Sequence, residues 1–396
     1  MPMSAFQDRF AFGAANQHFP IGVEEEFLLT NLAGVPVPDS PRLLSTLAEN
    51  LELPPLMQDG AANEEILRAI TAQTGIKPEL SADQLEINTR PCGSLGELAS
   101  DLRRTRANVI HLAESHGLQM TPIGASLLGD PTDVFPAARY LSIRSHLAAK
   151  QLRDANCCGL HIHVGISNPM QGLRVLNELT PHLPFFLALS ANSPFTHGIS
   201  RRFFAYQRVA PNLFPPNGFN TCEEMNAVAA AQGFQNDPRR CWWMIRLNPV
   251  GTVELRVCDV QVTIERTVQL AAAFRTRVQA ACAETDDIKS ATPMNETLTA
   301  LSAAASGQLP AKDIEQWVTE TKALAEFCGL KEESRSLATL HATITRTGAA
   351  YQHVIAQHGI LYTSLPTPNQ IHCGLASAMK EELTRTRAIH VLTLAP

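Results

Sequence analysis

Apolar and polar positions alternate over Pro20–Thr30, where Ile21, Val23, Phe27 and Leu29 offer one apolar side. A period of two marks a strand with one buried face. Further strands are predicted over Leu85–Thr89, Leu118–Ala125 and Gly159–Ile166. Trp242–Asn248 and Thr252–Val260 read as two more, joined by a turn at Pro249–Gly251. Between these runs the period lengthens to that of a helix. Ser40–Leu51 has Pro41 just inside its start, where a missing N–H costs little. Ser94 can cap a long helix that repeats Leu95, Leu98, Leu102, Val109 and Leu112 and stops at Gly117. Ala137–Asp154, Leu173–Ser190 and Val262–Ala283 also read as helices, the second broken or kinked by Pro181 and Pro184. Asn192–Gly218 interrupts this rhythm with Pro194, Pro211, Pro215 and Pro216, several aromatics, and Arg201, Arg202 and Arg208. A long irregular segment is expected there, and such segments in compact domains are usually functional.

After about residue 290 no strand pattern recurs, and helices are expected at 295–306, 311–328, 331–358 and 372–391. The expected organisation is a catalytic domain over residues 1–290 and a helical region over residues 291–396 packed on it.

Composition narrows the function. The chain has 396 residues, of which 45% are apolar and 18% charged, a globular balance. Its net charge of −6 argues against general nucleic-acid binding, which needs a basic face. No apolar run approaches the ~18 residues that span a bilayer, so no membrane partner is expected. Met1–Phe12 lacks a basic start followed by an apolar stretch, so the expected address is the cytoplasm. Nine cysteines without a CxxC pair fit reduced thiols better than a disulfide framework.

Several charged groups interrupt the strands. In Glu24-Glu25-Glu26, alternation sends Glu24 and Glu26 to one face and Glu25 to the other. Two carboxylates side by side repel unless a cation sits between them, or unless the strand is a solvated edge. Glu79 and Glu86 bracket a turn-like stretch, and Glu86 falls between Leu85 and Ile87 as either a partnered or a surface glutamate. His161 and His163 share a face of Gly159–Gly165, a spacing that suits metal ligands and also hydrogen-bonded core histidines. Thr252, Glu254, Arg256 and Cys258 are expected on one face of the last strand, with Val253, Leu255 and Val257 on the other. Glu254 and Arg256 fit a cross-strand ion pair, or a metal ligand beside a phosphate-binding guanidinium. Arg246 lies on the preceding strand, and Arg201, Arg202 and Arg208 are candidate anion contacts.

Taken together, these strands direct Glu24, Glu26, Glu86, His161, Glu254 and Arg256 to one face and leave the other apolar. That predicts an antiparallel or mixed sheet with helices on one side and an open charged face on the other. Oxygen ligands with an imidazole suit Mg²⁺ or Mn²⁺ better than zinc, and such ions most often act with substrate phosphates. ATP chemistry follows as the leading expectation.

At this point the chain resembles the glutamate–cysteine ligase type 2 family of carboxylate–amine ligases. The resemblance rests on ordered pieces between residues 21 and 265. These are Gly22–Phe27, Gln84-Leu85-Glu86 with Thr89 and Cys92, Gly159–Gly165, Leu187–Phe195 with Gly198, Trp243 with Arg246, and Gly251–Asp259. It implies an α+β fold similar to the catalytic domain of glutamine synthetase. It implies that Glu24, Glu26, Glu86, His161 and Glu254 hold divalent ions, with Glu79 a further candidate. His163 is implied as an ATP phosphate contact, and Arg246 and Arg256 as the residues that hold the transferring phosphoryl group and the acyl phosphate. Amino acids are the implied carboxylate and amine substrates, and a homodimer the implied assembly. The chain departs from the family pattern at Met244, where an acidic residue is usual, and near Gln207 and Arg208, where an arginine is expected one place earlier.

Overall fold

The computed structural model describes residues 10–13, 16, 18–57, 63–128, 133–194, 199–210, 212–214, 218–283, 293–350, 352 and 368–393. Seven strands form one sheet: β1 (Ile21–Asn31), β2 (Ile76–Pro78), β3 (Gln84–Asn88), β4 (Leu118–Thr121), β5 (Gly159–Gly165), β6 (Ile245–Asn248) and β7 (Thr252–Asp259). The order is β2-β3-β1-β5-β7-β6, and every pairing is antiparallel. β4 joins β1 on the side of β5, beyond the end of that pairing. β1 is therefore an interior strand and not a solvated edge.

The helices are α1 (Ser40–Asn50), α2 (Asn63–Thr74), α3 (Leu95–Ser115), α4 (Ala138–His146), α5 (Ala149–Ala155), α6 (Pro169–Leu179) and α7 (Leu183–Ser190). They continue with α8 (Arg201–Val209), α9 (Cys222–Ala231), α10 (Ile264–Ala283), α11 (Met294–Ala305), α12 (Ala311–Phe327), α13 (Lys331–Ala342) and α14 (Pro368–Thr393). α3 begins as its sequence predicts. The Ser94 side chain accepts from the Glu97 N–H at 3.1 Å, and the Glu97 carboxylate accepts from the Gly93 N–H at 2.8 Å.

Apolar residues of the strands meet two groups of helices on one side of the sheet. Val23, Ile162, Val164, Val253 and Leu255 pack with α6, α7 and α10 to α13. Phe27, Leu85, Ile87 and Met120 pack with α1, α2, α3 and the start of α14. The helices after residue 293 thus share both cores. Glu25 lies on this apolar side too, fully buried against Arg106 of α3.

Four expectations need correction. Asn192–Gly218 is not wholly irregular: α8 forms within it, with the Ser200 side chain accepting from the Phe203 N–H. Ala137–Asp154 is two helices, because Leu147 and Ala148 are extended. Cys258 does not share the face of Glu254, because β7 carries a bulge. Ile162 pairs with Leu255 but Leu160 pairs with Cys258, so one extra β7 residue shifts the alternation. Cys258 turns into the helix-covered core. The expected helix 331–358 ends at Ala342, and 353–358 lie outside the described residues. Phe195, Gly198, Pro211, Pro215 and Pro216 also lie outside them.

Candidate active site

Register alone assembles the open face. Directly paired residues of antiparallel strands point to the same side. Lys77 on β2 pairs with Glu86 on β3, and Glu86 pairs with Glu26 on β1. Glu24 on β1 pairs with His161 on β5. His163 pairs with Glu254 on β7, and Glu254 with Arg246 on β6. The row crosses six strands. Arg256 joins it at the bulge, with Nη1 3.4 Å from His161 Nδ1. Glu79 comes from the turn after β2.

Two close groupings result. Glu24, His163 and Glu254 each offer a donor atom within 4.8 Å of the others, and so do Glu26, Glu79 and Glu86. Glu254 is held on three sides. Arg246 donates to it at 2.8 and 3.2 Å, Asn248 donates at 2.6 Å, and Arg256 Nη1 donates to its other oxygen. Lys77 lies between the groupings, with Nζ 2.6 Å from Glu86 and 3.6 Å from Glu24. His161 Nδ1 is 3.1 Å from Glu24, and its Nε2 is 3.6 Å from Glu26. His163 Nδ1 is 3.0 Å from the Thr252 hydroxyl, while its Nε2 is buried and makes no hydrogen bond.

The charges are poorly balanced. Burial and then the Glu79 charge push the Glu26 carboxyl up to about 7. Burial and the Glu24 charge push Glu86 well above the usual carboxylate range. Burial acts to raise Glu24 as well, but the Lys77 ammonium, the hydrogen bond with His161 and the His163 ring, whose Nε2 lies 3.6 Å away, hold it well below that range. Burial is likewise outweighed at Glu254, where Arg246 and Arg256 keep the group ionised. Burial and the Arg256 charge depress His161 to about 3, so its ring is neutral at physiological pH. Neutral imidazole, clustered carboxylates and an unpartnered buried His163 nitrogen are the donor set of a hard divalent cation.

A cavity of about 330 Å³ opens on this face. Its acidic wall is Glu24, Glu26, Glu79 and Glu86. Arg139, Arg202, Tyr206, Arg239, Trp242, Arg246 and Arg256 also line the cavity. Of the three arginines of the proline-rich segment, only Arg202 faces this cavity. Arg208 pairs with Asp154, and Arg201 donates to the Ser126 carbonyl. Arg202 approaches so closely that a Cβ at Gly159 would lie 2.5 Å from its Nη2.

A sequence model of the glutamate–cysteine ligase family 2 matches residues 20–382. The chain belongs to that family. A candidate glutamate–cysteine ligase 2 of Chloroflexus aurantiacus is 28% identical over 271 residues, which is 65% of this chain. The match spans 63% of that relative's length. A candidate glutamate–cysteine ligase 2-2 of Saccharopolyspora erythraea is 32% identical over 294 residues, covering 72% of this chain and 70% of the relative. Among solved structures, a glutamate–cysteine ligase of Francisella tularensis in complex with AMP matches with a TM-score of 0.56 at 14% identity. It covers 93% of this chain and 94% of that one, and shares the α+β fold.

In this member of the family, Glu24, Glu26, Glu79, Glu86, His161, His163, Arg246, Glu254 and Arg256 all meet on one face. Met244, at the departing position, is buried in the helix-side core and not at the cavity. Lys77 and Asn248 are among the polar residues at the site that escaped the sequence reading. Lys77 sits on a three-residue strand too short to show alternation. Asn248 ends β6 at the turn to β7, where a neutral side chain carries no charge signal. Among the described residues no helix is long and apolar enough to cross a membrane.

Proposed function

We propose that this protein is an ATP-dependent carboxylate–amine ligase that joins two amino-acid-like substrates through an amide bond. The observation that carries the reading is the single row of carboxylates, imidazoles and guanidiniums across six antiparallel strands, open to one cavity. Family membership supports it.

Glu24, Glu26, Glu79, Glu86, His161 and Glu254 would hold Mg²⁺ or Mn²⁺, and the free Nε2 of His163 is suited to the same cation or to an ATP phosphate. A bound divalent ion would offset the charge of the polyphosphate. A substrate carboxylate oxygen attacks the γ-phosphorus of ATP, and the bond to the ADP oxygen breaks. Arg246 and Arg256 are placed to meet the charge that spreads over the transferring group and then the acyl phosphate. The amine nitrogen next attacks the acyl carbon. The C–O bond to phosphate breaks, and the departing phosphate can take the surplus amine proton. Rigid strands keep these groups fixed, so little reorganisation is needed as charge develops. Arg202, buried and lining the same cavity, is placed to meet a second anionic group on a substrate.

Mass spectrometry after incubation with ATP, Mg²⁺ or Mn²⁺ and pooled amino acids tests this. The expected result is ADP with a product lighter than its two precursors by one water. ADP with a stable phosphorylated acid would make the protein a phosphotransferase. No ATP consumption across a broad pool would sink the reading for those substrates and direct attention to nucleotide binding alone.

A further inference from the structure

Lys77 carries an ammonium that lies against a carboxylate of each grouping, whereas His161, which also touches both, has a neutral ring. The strand position of Lys77 pairs it with Glu86, a member of the Glu26–Glu79–Glu86 set. Its ammonium also lies 3.6 Å from Glu24, a member of the Glu24–His163–Glu254 set. The second set already has Arg246 and Arg256 on Glu254. Lys77 is thus the cation in ion-pair contact with Glu86 and Glu24. It is less than one third exposed, so solvent screens its charge only partly.

We propose that Lys77 acts as a built-in cation that competes with divalent metal for the acidic wall, so that the metal-only site binds weakly and fills when nucleotide supplies further negative charge. The inference rests on the divalent-cation reading above. Its physical basis is simple: a fixed positive charge between two anionic sites repels any further cation placed at either. The polyphosphate of an arriving nucleotide reverses the balance. It adds negative charge, and it offers the ammonium a new partner. Lys77 then couples cation binding to nucleotide binding, and free metal alone occupies the site only at high concentration.

The test is a titration of the purified full chain with Mn²⁺, without nucleotide, read by electron paramagnetic resonance and calorimetry. Lys77→Met removes the charge and keeps most of the side-chain bulk. It is expected to bind Mn²⁺ at least tenfold more tightly than the unaltered protein. Lys77→Arg keeps the charge and is expected to bind like the unaltered protein. Adding a non-hydrolysable ATP analogue should tighten Mn²⁺ binding more in the unaltered protein than in Lys77→Met. If the metal-free Lys77→Met protein is unfolded, Lys77→Gln takes its place in the same titration, with the same tightening expected. Equal or weaker binding by Lys77→Met overturns the role of Lys77 while leaving the metal site standing. Absence of Mn²⁺ binding by every form, with and without the analogue, overturns the metal reading itself.

Discussion

Three consecutive glutamates of β1 occur in two different environments. On the helix-covered side, both Glu25 oxygens are matched: Arg106 donates at 2.7 and 2.8 Å, and Thr267 at 2.6 Å. Arg106 in turn donates to the carbonyls of Gln261 and Val262. On the open side, Glu24 and Glu26 share a handful of cations with Glu79, Glu86 and Glu254, and two of these carboxyls are pushed upward in pKa. One side is a closed hydrogen-bonded network and the other an incomplete one. Glu26 is nearly as buried as Glu25, so between these two it is completeness that separates a structural charge from a group kept ready for a ligand.

The sharpest way to break this comparison is at the closed side. Arg106→Met should destabilise the protein by about 3–5 kcal/mol, because Glu25 is left buried without its partner. Urea unfolding measures it, and the double variant with Glu25→Gln should recover part of the loss. A loss within the scatter of surface substitutions would mean the pair is not a structural anchor.

On the open side, Glu254→Gln should lower ATP turnover by about 10²–10³-fold, since one charge is removed from the site with little change in shape. Circular dichroism should show the fold retained, and persistence of full turnover would remove Glu254 from the machinery. Next in size is the effect of the missing ligand. Divalent cation at a hundred times its dissociation constant should stabilise the folded chain by about 2.7 kcal/mol, seen as a higher melting temperature. Arg106→Met should keep this increment and Glu254→Gln should lose most of it.

The smallest effect concerns pH. The Glu26 carboxyl is raised from about 4.5 in the unfolded chain to about 7 when folded, by burial first and the Glu79 charge second. The folded state therefore holds a proton that the unfolded state has lost across that window. Its contribution is complete below the unfolded value and lost as pH rises through about 7. Metal-free protein should lose roughly 1–3 kcal/mol relative to Glu26→Gln between pH 4.5 and 8. A pH-independent difference between the two proteins would show that Glu26 titrates normally.

Much of this site could be read in advance where two-residue alternation was unbroken. Glu24, Glu26, Glu86, His161 and His163 fell on the expected face because their strands are regular and their neighbours strongly apolar. Cys258 was misplaced because a bulge leaves no trace in the hydrophobic pattern of β7 itself. It exists only in the pairing with β5. Lys77 was missed for a related reason, since β2 is defined by its partner β3 and not by its own three residues. Arg202, Arg201 and Arg208 looked alike in sequence. Helix α8 separates them: Arg202 lines the cavity while donating to the Arg256 and Val257 carbonyls, Arg201 donates to the Ser126 carbonyl, and Arg208 pairs with Asp154. The helix α2 and the helix α9 were not foreseen either.

The bulge in β7 has a broader meaning. Before it, Glu254 and Arg256 face the cavity. After it, Cys258 faces α7, its thiol close to the Phe186 carbonyl. A single strand thus divides into a length answerable to the substrate and a length answerable to the core. Substitutions that retune the first half need not disturb the second, and repacking of the helices need not reach the arginines. One surplus residue gives two selective pressures separate territory on the same eight positions.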